Sequence, residues 1–298
     1  VLYWLAKGVD GFRYDMAEMV PVEFWSYLNS SIKTKNSDAF LLAEVYNPNE
    51  YRNYIQLGRM DYLYDKVGFY DTLKPIMQGK ASTDTLAPVH AEVLDIEEHM
   101  LHFLENHDEQ RIASPGFAGD AARGKPGMVV SALISRSPTM LYFAQDVGEP
   151  GDGDAGFGDP TRTTIFDYWG VPTHQRWMNN GAFDGGQLSS EEKDLRDFYR
   201  RLMSFSGSSV ALSGEYAEIP TAKKQAFCGR PFPNSSHRQA INECHRRQFL
   251  DKQSDGHHRR HPPRPACHLR EVACRPLCGP GYSSSAGRPG PSPGGSFL

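Results

Sequence analysis

Three short apolar runs, each leading into acidic residues, constrain the fold of this chain more than any other feature. An apolar run of this length, bounded by turn residues, indicates a buried β-strand. In a β/α barrel the carboxyl ends of parallel strands converge on one site, so the acidic residues should lie together. The runs are Gly8–Tyr14 before Asp15, Phe40–Ala43 before Glu44, and Met100–Leu104 before the segment that carries Asp108.

Helical patterns alternate with these runs. Phe24, Tyr27, Leu28 and Ile32 recur with helical spacing. Either a barrel or an open doubly wound sheet fits such alternation. Acidic residues after separate strands favour the barrel, because an open sheet would spread them along an edge or into one crevice. Further helices are predicted at Met128–Ile134 and Leu195–Phe205, and further strands at Met60–Tyr64 and Thr139–Phe143.

Arg13 and Asp15 are two residues apart at the end of the first run. Residues with this spacing on a strand point to the same face, so the guanidinium and the carboxylate should emerge side by side. The arginine would keep Asp15 ionised at neutral pH, as a nucleophilic carboxylate requires. Taken alone, the pair is more typical of an ordinary ion pair at a strand end, and only the other two acidic stretches favour a catalytic interpretation.

Three segments resemble ordered signature regions of the α-amylase family of glycoside hydrolases, family 13. A fourth, Thr139–Phe143 with the nearby Gln145, Gly148 and Glu149, is similar to the family's segment at the last barrel strand. The resemblance covers roughly residues 1–216 and implies an α/β fold, a partial (β/α)8 TIM barrel with strands four to eight and their helices. The three segments are Gly11–Asp15 (GFRYD), Leu42–Val45 (LAEV) and Phe103–Asp108 (FLENHD).

The resemblance implies a role for each matched residue. Asp15 matches the catalytic nucleophile and Arg13 the arginine that holds it. Glu44 matches the general acid/base, which must be protonated at the start of the cycle. Asp108 matches the carboxylate that binds sugar hydroxyls, and His107 matches a histidine that donates to the same sugar. Carboxylates in these roles are typical of retaining glycoside hydrolysis.

The implied activity is hydrolysis of an α-glucan or maltooligosaccharide, mainly at α-1,4 bonds, as Val45 after the acid/base also suggests. A related transglycosylase stays open, since only the acceptor differs, and so does a catalytically silent barrel for carbohydrate binding or scaffolding. Because Asp15, Glu44 and Asp108 are all present, the sequence favours an enzyme over a catalytically silent barrel. We expect no nucleic-acid or membrane partner and no cofactor or metal site in this chain, with Ca²⁺ considered only for an intact parent enzyme. Compartment and oligomeric state stay open.

Two departures from the family pattern affect these expectations. Many members have a Lys-His pair on the acceptor side after the nucleophile, where this chain has Glu18 and Met19. The family's first signature region has no match, and the helical pattern over Val1–Lys7 lacks a beginning. We therefore expect the first three strands to be missing and the chain alone to hydrolyse starch at no more than background.

Composition changes near residue 227. All five cysteines follow this point, with eleven basic residues against four acidic ones, although the whole chain has a net charge of −4. We predict a partial barrel over 1–207, the start of a β segment over 208–224, and a low-complexity tail over 225–298 that is disordered or translated in a shifted frame. Zinc binding by Cys267, His268, Cys274 and Cys278 is disfavoured because their spacing fits no paired C-x-x-C pattern.

Two stretches after the predicted last strand carry weaker signals. The loop Asp152–Asp159 has carboxylates at calcium-like intervals but lacks the EF-hand spacing, which favours a solvated turn. A cluster of five aromatic residues in the sequence could stack on sugars or pack against the barrel rim, and the sequence favours neither role over the other. Its members are Phe166, Tyr168, Trp169, Trp177 and Phe183.

Overall fold

The computed structural model describes residues 1–153, 161–163, 170–218, 226–232 and 274–276. Its helices are α1 (Leu2–Leu5), α2 (Val22–Lys35), α3 (Tyr51–Gln56), α4 (Asp71–Met77), α5 (Leu86–Ala91), α6 (Gly124–Leu133), α7 (Pro172–Met178) and α8 (Ser190–Ser208). Its strands are β1 (Gly11–Tyr14), β2 (Phe40–Ala43), β3 (Tyr62–Tyr64), β4 (Met100–Leu101), β5 (Glu215–Glu218), β6 (Ala226–Phe232) and β7 (Cys274–Pro276).

Strands β1 to β4 form one parallel sheet in chain order. Gly11 pairs with Phe40, Leu42 with Tyr62, and Leu63 with Met100, and helices connect the strands. This sheet confirms the predicted parallel β/α units and an α/β fold. Its strand order also means that the carboxyl ends of β1 and β2 are direct neighbours.

Strand β2 is buried on both faces from Leu41 to Ala43, which explains why it is a continuous apolar run and does not alternate with polar residues. Leu42 packs in one hydrophobic cluster with Tyr64 and Leu101, together with residues of α4, α6 and α8. The preceding Leu41 packs in a second cluster with Trp25 and other residues of α2 and α3. Successive residues of β2 therefore join different clusters, as the period of a strand requires.

Gly11 allows β1 to approach β2 closely. A Cβ atom at this position would lie 2.2 Å from the carbonyl oxygen of Phe40, its partner in the neighbouring strand. No side chain fits within such a distance of a backbone atom without displacing the strand. The register that sets the carboxyl ends of β1 and β2 level therefore depends on this glycine.

The predicted strand over Thr139–Phe143 is wrong. Only an isolated parallel bridge joins His102 to Thr139. The backbone beyond it bonds to side chains: Tyr142 N–H donates to Oε1 of Gln145, and the carbonyl of Phe143 accepts from Arg111. The strand predicted over Met100–Leu104 is likewise shorter, because β4 ends at Leu101 and His102 pairs with the backbone around Thr139.

Most helix predictions are confirmed. Helix α2 begins directly after Pro21, and α6 covers most of the predicted Met128–Ile134 segment. Helix α8 begins with a capping box, in which Ser189 and Glu192 each accept the other's backbone N–H. The N-terminal helix α1 ends at Leu5, earlier than the sequence predicts.

The C-terminal strands form a separate antiparallel sheet, in the order β5-β6-β7. Strand β5 lies in the predicted β segment over 208–224, and β6 and β7 lie in the range 225–298. The remainder of that range lies outside the described residues, so its predicted disorder stays a prediction. Also outside the described residues are Cys267, His268, Phe166, Tyr168, Trp169 and residues 154–159 of the Gly/Asp-rich loop.

Candidate active site

The carboxyl ends of β1 and β2 bring Arg13, Asp15 and Glu44 together. Because Tyr14 pairs with Ala43, the residues that follow the two strands stand at the same level. Nη1 of Arg13 donates a hydrogen bond to Oδ1 of Asp15 at 2.5 Å, and Nη2 lies 3.2 Å from Oε2 of Glu44. One guanidinium therefore faces both carboxylates.

The two carboxylates differ in environment. The side chain of Asp15 is 72% exposed and that of Glu44 only 5%. The Arg13 hydrogen bond, followed by the charges of Arg13 and His107, lowers the pKa of Asp15. Oε2 of Glu44 also accepts the backbone N–H of Met16 at 2.9 Å. Asp15 is thus an ionised, accessible carboxylate beside the buried carboxyl group of Glu44. The sequence predicted that Arg13 would keep Asp15 ionised.

His107 and Asp108 lie at the same edge of the sheet, in the loop after β4. Nε2 of His107 is 3.2 Å from Oδ2 of Asp108, and both side chains are partly exposed. His107 acts electrostatically on Asp15, and Asp108 on Tyr46 beside Glu44. The structure therefore brings together the five residues that the sequence analysis singled out.

A buried ion pair holds the loop that carries His107 and Asp108. Nη1 of Arg111 lies 2.7 Å from Oε2 of Glu105, and both side chains are buried. Oε1 of Glu105 also accepts the N–H of Ile112. Burial raises the pKa of Glu105, and the charge of Arg111 opposes this shift. The sequence analysis did not single out Arg111, since a lone arginine after the matched segment gives no signal.

Further hydrogen bonds fix the same loop. Oδ1 of Asn106 accepts the N–H groups of Asp108 and Glu109, each at 2.8 Å. Arg111 reaches beyond the loop to Oγ1 of Thr163, to which Nε and Nη2 donate at 3.0 and 2.7 Å. These contacts define the backbone on which Asp108 is presented.

Two tyrosines complete the surroundings of Arg13 and Glu44, and the sequence analysis missed both. The Tyr64 ring centroid lies 5.6 Å from the Arg13 guanidinium carbon. Burial raises the pKa of Tyr64, and the positive charge of Arg13 works in the opposite direction. Burial also raises the pKa of Tyr46, and the negative charge of Glu44 adds to that shift. Aromatic residues shortly after a strand are the sequence signal that could have identified them.

Other predicted features lie away from this cluster. Trp177 packs between His174 and Arg196, whose guanidinium carbon is 4.9 Å from its ring centroid, which favours a packing role for this aromatic residue. Among the described residues, no group of three or more His, Cys, Asp or Glu side chains is placed to bind a metal ion. No helix in the described ranges is long and apolar enough to span a membrane.

Parallel β/α units with carboxylates gathered at their carboxyl ends have the arrangement in which β/α barrels carry their active sites. Residues 1–211 match the family model described as the catalytic domain of alpha amylase. The chain therefore belongs to the α-amylase family of glycoside hydrolases, family 13, and the resemblance found in its sequence is confirmed.

Curated relatives share moderate identity with this chain. Alpha-amylase 3 of Dictyoglomus thermophilum is 24% identical over 246 residues, which are 74% of this chain and 46% of the relative. The cyclomaltodextrin glucanotransferase of Paenibacillus macerans is 26% identical over 168 residues, 51% of this chain and 22% of the relative. The chain thus spans less than half the length of these relatives.

Solved structures support the fold. A cyclomaltodextrinase matches with a TM-score of 0.59 and 19% identity, covering 76% of this chain and 36% of that chain. The ligand-free cyclic alpha-maltosyl-(1→6)-maltose hydrolase of Arthrobacter globiformis matches with a TM-score of 0.54 and 20% identity. The match covers 76% of this chain and 47% of that chain. At this level of identity the likeness concerns the fold.

Proposed function

We propose that this chain carries the catalytic groups of a retaining α-glucan hydrolase that acts mainly on α-1,4-glucosidic bonds. The supporting observation is the shared guanidinium: Arg13 contacts both Asp15 and Glu44. A retaining enzyme needs its two carboxyl groups close enough to act on one glycosidic bond, with about 5–5.5 Å between them. Two carboxylates on one guanidinium suit that requirement.

In the proposed reaction, Asp15 is the nucleophile and Glu44 the general acid/base. The ionised Asp15 attacks the anomeric carbon and forms a glycosyl ester, while Glu44 gives its proton to the departing glycosidic oxygen. Glu44 then takes a proton from water as the water oxygen attacks the same carbon, which breaks the ester and returns Asp15 as a carboxylate. Two inversions leave the sugar with its original configuration.

Asp108 and His107 bind the sugar at the cleavage point in this proposal. The Asp108 carboxylate accepts hydrogen bonds from sugar hydroxyls, and His107 donates to the same sugar. Both side chains are partly exposed at the carboxyl edge of the sheet, within electrostatic range of Asp15 and the surroundings of Glu44. Charge held near the oxocarbenium-like transition state stabilises it.

Strands β1 to β4 take the places of the fourth to seventh strands of a (β/α)8 barrel in this proposal. The segment beginning at Thr139 stands where the eighth strand would lie, since its bridge to His102 is parallel and continues the strand order. The carboxyl edge of the sheet would then face the barrel mouth, where such barrels carry their active sites.

Transglycosylation is the second candidate, because two relatives are named as a cyclomaltodextrin glucanotransferase and a 4-alpha-glucanotransferase. Hydrolysis and transfer share the glycosyl ester and differ in the acceptor that resolves it. Product analysis therefore separates the two candidates, and the groups discussed above serve either one.

The test uses α-maltosyl fluoride, since starch turnover by the chain alone is expected at background. Fluoride needs little acid assistance to leave, so its release depends chiefly on the nucleophile. We expect slow fluoride release, a product that is initially the α-anomer in proton NMR, and loss of release in Asp15→Asn. Longer saccharides formed with added maltose would indicate transfer. An initial β-anomer, or undiminished release by Asp15→Asn, would contradict the proposal.

A further inference from the structure

Two exposed methionines follow Asp15 closely in the chain. Met16 is 49% exposed and Met19 is 72% exposed, although methionine is among the residues most often buried. The N–H of Met19 donates to the carbonyl of Met16 at 3.0 Å. A turn closed in this way brings its first and fourth residues within about 7 Å of each other. Met16 and Met19 therefore form one apolar surface, which we call the methionine patch.

The turn that carries the methionine patch is held by its other two residues. Ala17 is fully buried, and its N–H donates to the carbonyl of Glu44 at 2.9 Å. The carbonyl of Ala17 accepts from Nε1 of Trp25 at 2.9 Å. Oε2 of Glu18 accepts two backbone N–H groups of the loop after β2, each at 2.9 Å. The turn is thus anchored without either methionine side chain, and both remain exposed.

Met16 lies against the carboxyl group of Glu44. Its N–H donates to Oε2 of Glu44 at 2.9 Å, and Nη2 of Arg13 lies 3.2 Å from the same oxygen. Two donors at Oε2 favour a proton on Oε1, because a protonated Oε2 would direct its own hydrogen at them. The leaving group that takes this proton meets the carboxyl group that Met16 contacts, so it lies beside the methionine patch.

The backbone of Met16 supports a functional role for its position. Its φ is 45°, in the left-handed region that non-glycine residues rarely adopt. Backbone conformations of this kind are concentrated at active sites and ligand-binding turns, where surrounding contacts hold them. Here the unfavourable conformation coincides with the hydrogen bond to Glu44 and with an exposed apolar side chain.

We propose that the methionine patch binds the leaving group and the acceptor, and that it favours an aryl or alkyl group over a further sugar. This specificity rests on the function proposed above for Asp15 and Glu44. A sugar needs partners for its hydroxyl groups, and a thioether is only a weak acceptor and no donor. Methionine instead packs well against aromatic rings and adapts to apolar ligands of different shapes. Aryl and alkyl α-maltosides are the substrates that fit, and apolar alcohols are the acceptors.

Transfer to such an alcohol uses the groups already described. The alcohol oxygen bonds to the anomeric carbon, its proton passes to Glu44, and the ester bond breaks and leaves Asp15 as a carboxylate. Two alcohols present together compete for the same glycosyl ester. The ratio of their products therefore reports how well each acceptor is bound, and it does not depend on how fast the ester forms.

Binding is tested by NMR titration of the full chain labelled with [methyl-¹³C]methionine. The resonances of Met16 and Met19 are assigned with Met16→Leu and Met19→Leu. Phenyl α-maltoside and maltotriose are matched ligands, because one carries a phenyl ring where the other carries a third glucose. Phenyl α-maltoside should shift both methyl resonances saturably, and maltotriose should shift them less at the same concentration. Equal shifts with both ligands, or no shift with phenyl α-maltoside, would overturn the inference.

Acceptor competition tests the specificity during the reaction. α-Maltosyl fluoride reacts with equal concentrations of 2-phenylethanol and glucose present, and mass spectrometry gives the ratio of phenylethyl maltoside to maltotriose. Met16→Gln and Met19→Gln should each lower this ratio about two- to tenfold, as expected for one methionine–aromatic contact. Leu57→Gln is the matched control, because Leu57 is also an exposed apolar residue and lies at the end of α3. It should leave the ratio unchanged.

A product ratio that stays unchanged in both methionine variants would overturn the inference. A mere loss of stability lowers the yields of both products together and does not lower their ratio. If Met16→Gln fails to fold, Met19→Gln decides, since Met19 is the more exposed residue. Absence of fluoride release by the unmodified chain contradicts the proposed function, whereas release with an unchanged ratio contradicts only the specificity. The NMR titration needs no turnover and tests the methionine patch in either case.

Discussion

Nη2 of Arg13 lies 3.2 Å from Oε2 of Glu44, across the boundary between two neighbouring strands. Through Nη1 the same guanidinium also holds Asp15. A planar guanidinium presents several donors in fixed directions, so it can serve two carboxylates at once. The electrostatics of both proposed catalytic carboxylates are therefore coupled through one residue.

Replacing Arg13 should raise the pKa of Asp15. The Arg13 hydrogen bond and charge lower that pKa, and Arg13→Gln removes the charge. The pKa of Asp15, measured by carboxyl ¹³C NMR, should move upward toward the ordinary aspartate value. Arg52→Gln is the matched control, because Arg52 lowers the pKa of Asp95 on an exposed surface. This control should raise the pKa of Asp95 and leave the pKa of Asp15 unchanged. An unchanged pKa of Asp15 in Arg13→Gln would disprove the electrostatic coupling of Asp15 to Arg13.

Removing the positive partner of Glu105 should destabilise the protein strongly. Arg111 is fully buried, and Arg111→Met leaves the buried Glu105 without its cation, which costs about 3–5 kcal/mol in comparable cases. Urea denaturation measures the change. Arg200→Met removes an exposed ion pair within α8 and should cost far less, because solvent screens such pairs.

The double variant Glu105→Leu with Arg111→Met tests the reason for that loss. With both charges gone, no unpaired charge stays buried, so the double variant should be more stable than Arg111→Met alone. A double variant that is as unstable as the single one would show that hydrogen bonds to Thr163 and Phe143, and not the charge on Glu105, account for the loss.

Asp65 and His102 should mask each other's effect on stability between about pH 4 and pH 6. Burial raises the pKa of Asp65 to about 6 and lowers that of His102 to about 4. Ordinary values for unfolded chains are about 3.9 and 6.5. In this window the native state holds an extra proton on Asp65 and the unfolded state holds one on His102, so the two contributions to the pH slope cancel.

Single substitutions should expose each contribution with opposite sign. In His102→Gln, Asp65 remains, and the free energy of unfolding should fall as pH rises through its folded pKa of about 6. In Asp65→Asn, His102 remains, and stability should fall as pH drops toward its folded pKa of about 4. Urea unfolding at several pH values, referred to the unmodified chain, measures both slopes. If stability changed with pH in the same direction in both variants, the opposite pKa shifts of Asp65 and His102 would be refuted.

Gly11→Ala should weaken the pairing of β1 with β2. The new methyl group would lie 2.2 Å from the Phe40 carbonyl oxygen, so the strand must shift, at a cost of about 1–3 kcal/mol. Gly207→Ala is the control, because this glycine lies in α8 with open space at its Cβ position. It should stabilise the protein by about 0.4–1 kcal/mol. Thermal unfolding compares the two, and a Gly11→Ala variant of unchanged stability would contradict the packing described here.

The sequence predicts those parts of the fold whose structure is set locally or by burial on both faces. Strand β2 covers the predicted Phe40–Ala43, because an apolar run buried on both sides leaves a clear pattern. Thr139–Phe143 has similar composition, yet its backbone bonds to the side chains of Arg111 and Gln145. Side-chain partners of this kind leave no trace in the hydrophobic pattern.

The candidate site divides in the same way. Asp15 and Glu44 directly follow strands, so their position at the sheet edge is evident from the sequence. The bond from Tyr46 to Glu18 joins residues 28 positions apart and depends on how two loops meet. Neither spacing nor periodicity encodes such a contact, so it is seen only in the structure.

Covalent trapping of the nucleophile tests the central claim most directly. A maltosyl fluoride fluorinated beside the anomeric carbon forms the glycosyl ester faster than the ester is hydrolysed, and mass spectrometry of peptides then locates the attached sugar. We expect one maltosyl group on the peptide that contains Asp15, its presence in Glu44→Gln, and its absence in Asp15→Asn. Labelling of another carboxylate, or undiminished labelling of Asp15→Asn, would contradict the assignment of Asp15 as the nucleophile.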